Sequence, residues 1–152
     1  MKIKISIFAF LAIVLLSACG RRNEPEKIKY GVDVCDFCKM TIVDQKWGAE
    51  LMTKKGKIYK FDVVECMIAY AASFMEEDEI KHYWTTNFLA PGTFLDAKKA
   101  IYIRTLQFPS PMGLNSLAIE KIWDTSKLHL MPGYEVLNWD KVVEKAKEEL
   151  IR

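Results

Sequence analysis

Apolar positions along the chain follow two rhythms, one alternating and one helical, separated by short polar turns. Trp47-Gly48-Ala49-Glu50-Leu51-Met52 predicts a strand, Lys54-Lys55-Gly56-Lys57 a turn, and Ile58-Tyr59-Lys60-Phe61 the antiparallel partner. Asp62 stands three residues before Glu65, in the pattern of a capping box. Val64, Met67, Ile68, Ala71 and Phe74 or Met75 then recur on one helical face, and the helix is expected to end near Glu76-Glu77-Asp78. Residues 80–86 read as a strand, 87–92 as a loop, 96–100 as one helical turn and 101–104 as a further strand. Phe108-Pro109-Ser110-Pro111-Met112-Gly113 must be a loop, because two prolines forbid regular pairing. Residues 117–119 predict a short strand, Pro132-Gly133 a turn and residues 134–139 a strand. Asp140 is placed to cap a charged helix over 141–150, with Val142, Val143, Ala146 and Leu150 on its apolar side.

Two stretches resemble each other: Tyr59-Lys60-Phe61-Asp62-Val63-Val64 and Leu137-Asn138-Trp139-Asp140-Lys141-Val142. Each reads strand, aromatic, capping Asp, helix, and a Met (Met40 or Met112) stands before each hairpin. The expected fold is therefore α+β: two related ββα-type halves, about 30–104 and 105–152, packed as one compact unit.

The N-terminus has a different character. Lys2 and Lys4 precede an apolar run over 5–16, closed by Leu16-Ser17-Ala18-Cys19. A basic segment, a short apolar segment and small residues before a cut site describe an export signal, and a run this short does not make a spanning helix. The tetrapeptide resembles the bacterial lipobox, which implies cleavage after residue 18 and lipidation of Cys19. Gly20-Arg21-Arg22-Asn23-Glu24-Pro25-Glu26-Lys27 is polar, so residues 19–29 are expected to form a flexible tether and 30–152 the folded domain. Removing residues 1–18 takes two of the 22 basic residues and none of the 20 acidic ones. The mature chain is then formally neutral, which argues against nucleic acid as a partner.

Cysteine usage directs attention to Asp33-Val34-Cys35-Asp36-Phe37-Cys38-Lys39-Met40. Besides Cys19 the chain has Cys35, Cys38 and Cys66, an odd number for an exported protein in which thiols normally pair. A structural zinc site needs four ligands, and only Cys66 with His82 or His129 is available to complete one. A thioredoxin-like redox pair needs a strand-to-helix junction, whereas Cys35 follows the polar run. A passive Cys35–Cys38 disulfide leaves Cys66 unexplained. Met40, two residues after Cys-x-x-Cys, adds a thioether, and thiolate with thioether is a soft set that favours Cu(I). Cys66 is open to a core or a ligand role. Met112 stands in a Pro-Met-Gly loop that is not core-like, and Met67 reads as core.

Together the lipobox, Cys-x-x-Cys-x-Met, Lys57-Ile58-Tyr59-Lys60-Phe61-Asp62-x-x-Glu65-Cys66-Met67, Asp96-Ala97-x-x-Ala100-x-Tyr102 and Pro111-Met112-Gly113 resemble the NosL family, copper-binding accessory lipoproteins of nitrous-oxide reductase maturation. The resemblance covers most of the mature chain in order. It departs at Phe94-Leu95, where a Trp is expected, and is loose after Gly113. It implies a non-enzymatic, lipid-anchored protein facing the periplasm that binds one Cu(I). Cys35, Cys38 and Met40 would form the ligand loop and Met112 the partner from the second half. The implied partners are nitrous-oxide reductase or its maturation transporter. From the residues alone, a thiol–disulfide oxidoreductase acting on copper-site cysteines and a zinc-stabilised interaction domain remain as alternatives.

Overall fold

The computed structural model describes residues 23–151. The expected signal segment 1–18 and Cys19 lie outside the described residues. β1 (Ala49–Thr53) is buried along its whole length because it has a strand on either side and chain over both faces. It pairs antiparallel with β2 (Ile58–Phe61) and β3 (Ile80–Thr86), and β4 (Phe94–Asp96) joins the outer side of β3. The Lys-rich turn between β1 and β2 falls where the sequence places it. Successive side chains point to opposite faces. Leu51, Phe61 and Tyr59 thus face α1 (Val64–Phe74), whose Tyr70 ring lies 5.0 Å from Tyr59 and 5.4 Å from Phe61.

The opposite face of β1 carries Glu50, and the segment expected to be a flexible tether crosses it. The Glu26 N–H donates to Glu50 Oε2 at 2.8 Å, Lys60 Nζ donates to the Lys27 carbonyl and to Asp33, and Ile28 is only 1% exposed. The tether reading is therefore corrected from Glu26 onward. One isoleucine in a polar run finds a slot beside Gly48, where a Cβ would lie 2.8 Å from Ile28 Cδ1. Hydropathy averaged over that run hides a single buried anchor.

The second sheet has β5 (Ile101–Arg104) in the middle, flanked by β6 (Ser116–Ile119) and β7 (Glu135–Leu137). β5 belongs to this sheet, so the change of sheet falls between Asp96 and Ile101 and not after Arg104. The turn that redirects the chain is closed by Lys99 and Ala100 N–H groups on the Asp96 carbonyl. The two sheets share one order: a hairpin, a helical stretch, then a strand returning to the other side of the first. In the second half the helical stretch is a 3-10 segment (Ile122–Leu128). The correspondence thus runs β1-β2-α1-β3 to β5-β6-(3-10)-β7. The similar stretches at 59–64 and 137–142 occupy different places in it.

α2 (Trp139–Leu150) packs beside α1 and closes the core. Its cap is Asn138, whose side chain accepts the Lys141 N–H, and not Asp140. The helix starts early enough to place Trp139 in its first turn, where its ring lies 5.3 Å from Tyr83 of one sheet and 6.3 Å from Tyr102 of the other. The sheets thereby share a single buried cluster. Among the described residues no helix is long and apolar enough to cross a membrane.

Burial pushes the Glu50 carboxyl from 4.5 up to about 7, against the pull of the Glu26 N–H. An acid whose pKa is raised on folding binds its proton more tightly in the native state, so its contribution is lost as pH rises from the unfolded toward the folded value. Stability of the metal-free protein should fall between about pH 4.5 and 7. Glu50→Gln should flatten that slope, as read by urea unfolding at several pH values.

Candidate metal centre

The Cys-x-x-Cys loop is a short hairpin. Gly31 N–H donates to the Ile42 carbonyl, Ile42 N–H to Asp33, and Cys35 N–H to Met40, each within 2.9 Å, around a Val34–Thr41 bridge. Its tip closes with the Lys39 N–H on the Cys35 carbonyl and Lys39 at φ 65°, a left-handed conformation unusual for a lysine.

Asp36, inside the motif, fixes this hairpin to the first sheet. Its N–H donates to the Lys60 carbonyl and its Oδ2 accepts the Lys60 N–H, both at 2.8 Å. Lys60 is on β2, an edge strand, so the pair also occupies backbone groups that would otherwise be unpaired. Docking at Lys60 puts both thiols beside the chain that leaves β2.

That chain supplies two more donors. Val63 is the extended N-cap of α1 and no side chain caps the helix. The expected capping box is therefore absent, because both of its members are used elsewhere. Asp62 turns to the thiols, with Oδ2 3.6 Å from Cys38 Sγ, and its Oδ1 is buried with no hydrogen-bond partner. Cys66 lies in the first turn of α1, fully buried. One donor atom from each of Cys35, Cys38, Asp62 and Cys66 lies within 4.8 Å of every other. Bonds of about 2.3 Å in a tetrahedral site space sulfur donors roughly 3.8 Å apart, so small side-chain movements suffice to hold an ion.

The three thiols are free and differ in protonation. A hydrogen bond from Cys66 holds the Cys35 thiol down at about 7, assisted by the Asp62 and Cys38 backbone N–H groups and opposed by burial. Its hydrogen bond to Cys35, together with burial, drives Cys66 far above the ordinary thiol range. Burial pushes Cys38 up to about 11. Cys35 is thus the thiolate of the set, and Cys66 its proton-bearing partner.

Cys35, Cys38 and Cys66 of the expected ligands are brought together. Met40 follows the loop with its side chain 44% exposed, and Met112 is partly buried against the core in the β5–β6 loop. His82 stacks on Trp84 at 5.1 Å on β3, and His129 ends the 3-10 segment, so neither joins the cluster. Sequence reasoning missed Asp62. The signal for it was a strand-end aspartate four residues before a helical cysteine. It also missed Glu65, which is fully buried and accepts a 2.5 Å hydrogen bond from Ser110 Oγ, its carboxyl raised by burial to about 7.

Two antiparallel sheets pack as a small α+β domain, with three thiols and a carboxylate gathered at one strand-to-helix junction in an arrangement compatible with a metal ion. The chain belongs to the NosL family, whose sequence profile matches residues 28–146. Among solved structures it is similar to the crystal structure of the copper chaperone NosL from Shewanella denitrificans, with a TM-score of 0.59 and 18% identity. That match covers 77% of this chain and 96% of the other. No curated protein matches the sequence.

Titration of thiolate ultraviolet absorbance in the reduced, metal-free protein should show one thiolate forming near pH 7 and another near 11. Cys66→Ala removes the donor to Cys35 and should move the first step upward; an unchanged step would contradict the assignment of Cys35 as acceptor.

Proposed function

We propose that this protein is a Cu(I) carrier of the bacterial cell envelope. In this reading Cys19 carries the lipid that ties it to the membrane, and the folded domain faces the periplasm. The domain holds one Cu(I) and supplies it for assembly of nitrous-oxide reductase, directly or through the maturation transporter. The observation that carries the reading is the convergence of Cys35, Cys38 and Cys66, drawn from two separated segments into one cluster. Three sulfurs suit a d¹⁰ ion that accepts low coordination numbers. Membership of the NosL family and the fold shared with a protein described as a copper chaperone support the same cargo.

The arrangement also gives a direction of transfer. Cys35 and Cys66 are fully buried, whereas Cys38 is half-buried and Met40 is exposed. An acceptor thiolate or imidazole would therefore add from the side of Cys38 and Met40. A thioether leaves more readily than a thiolate, so in this reading a sulfur lent by Met40 or Met112 is the first to go and open a coordination position. The buried pair keeps the ion until the acceptor has taken it.

Asp62 favours one competing reading. A carboxylate oxygen is a harder donor than sulfur, and three thiolates with one oxygen also make a four-coordinate set for Zn(II). The two readings separate on loading the reduced soluble form lacking residues 1–19 with either ion under anaerobic conditions. A carrier binds about one Cu(I) per chain with sulfur-dominated X-ray absorption and stays folded when stripped. A structural zinc protein binds one Zn(II) and unfolds on chelation. In competition with a Cu(I) chelator, Cys38→Ser should abolish high-affinity binding and Met40→Ala should weaken it modestly. Equal affinity in all three proteins would overturn the site.

A further inference from the structure

The carboxyl of Glu65 is fully buried one residue before Cys66, and it accepts a hydrogen bond from Ser110 Oγ. Its other oxygen, Oε2, has no partner. A carboxyl in that position costs stability that a leucine or glutamine would not, which calls for a role beyond packing.

Ser110 is the hub of the loop that carries Met112. Its Oγ donates to Glu65 Oε1 and accepts the Gly113 N–H at 3.2 Å and the Asn115 N–H at 2.9 Å. Its N–H donates to Asn115 Oδ1 at 2.8 Å, and its carbonyl accepts Gly113 N–H, closing a turn with Pro111 second and Met112 third. Pro109 and Pro111 on either side stiffen the turn, and the fully buried Leu114 seats its far end. The loop is thus built as a unit around one hydroxyl, and that hydroxyl is fastened to the first turn of α1 beside a candidate copper ligand.

We propose that Glu65 and Ser110 are a positioning pair for Met112. Through the Glu65–Ser110 bond, α1 holds the second half's loop in register with Cys66, so that the Met112 thioether is presented to the ion as its outer, exchangeable ligand. This rests on the Cu(I) reading above. Neither residue touches the ion; both act through Met112.

The test is a double-mutant cycle on the full chain in detergent, reduced, with Cu(I) affinity measured against a competing chelator. Removing a residue that orients a metal ligand costs roughly tenfold or more in affinity. Met112→Leu and Ser110→Ala should each weaken Cu(I) by a similar factor, and the double variant should lose no more than either single. Ser110→Thr, which keeps the hydroxyl, should bind like the wild type. X-ray absorption of the Ser110→Ala protein should show one sulfur fewer around copper, with the remaining Cu–S distance unchanged. Glu65→Leu, which removes the acceptor, should reproduce Ser110→Ala, and if it does not fold, the serine variants decide alone. Losses that multiply in the double variant would overturn the proposal, as would a full effect of Ser110→Ala with none of Met112→Leu; the copper site itself would stand in both cases. A wild-type chain that takes up no Cu(I) would overturn the carrier reading and this inference with it.

Discussion

The reciprocal pair of hydrogen bonds between Asp36 and the Lys60 backbone is the constraint on which the centre depends. Cys35 and Cys38 belong to a hairpin held to the sheet here, while Asp62 and Cys66 belong to the chain running out of β2 into α1. The hairpin's own conformation pairs Cys35 with Cys38, but nothing local to either segment brings Cys66 to them. The clamp does so by fixing the hairpin two residues upstream of Asp62, on the free edge of β2. Lys60 serves twice, because its side chain reaches Asp33 at 2.8 Å and steadies the start of the same hairpin. Both partners of that contact are partly shielded, so it is worth more than an exposed pair of the same geometry.

The protonation pattern follows from the same arrangement. Three thiols this close cannot all ionise in a buried site without a compensating cation, and Cys35, with the Cys66 donor beside it, is the one whose pKa is held low. Binding a cation through all three sulfurs would require the release of protons from the remaining thiols. Any such uptake would be linked to pH for that reason.

Much of the fold was legible because its strands alternate and its turns are marked by Lys-Gly, Pro-Gly and paired prolines. Ile58–Phe61 and Ile80–Thr86 fall where the pattern puts them. What was hidden shares a physical cause: polar residues in the roles of buried ones. Asp62 and Glu65 have the spacing of a capping box, and a cap is the commonest use of that pattern. Only the fold shows that one faces thiols and the other a serine from the second half. Ile28 was masked by its charged neighbours. The equivalence of the halves was misaligned because two capped helices resemble each other locally, while the true correspondence joins α1 to a 3-10 segment with little sequence signature. Of the centre, the Cys-x-x-Cys loop was readable; Cys66 was ambiguous because a buried cysteine on a helix is as easily core as ligand.

The shared order of the two sheets has a consequence for the economy of the molecule. A repeated fold would ordinarily offer two equivalent sites. Here the first half has a tight Lys-rich turn in its hairpin, whereas the second has a proline-stiffened loop at the same place and a 3-10 segment where the first has a helix. Among the described residues only the first half gathers a thiol cluster, so the two-fold order survives in the topology and not in the chemistry.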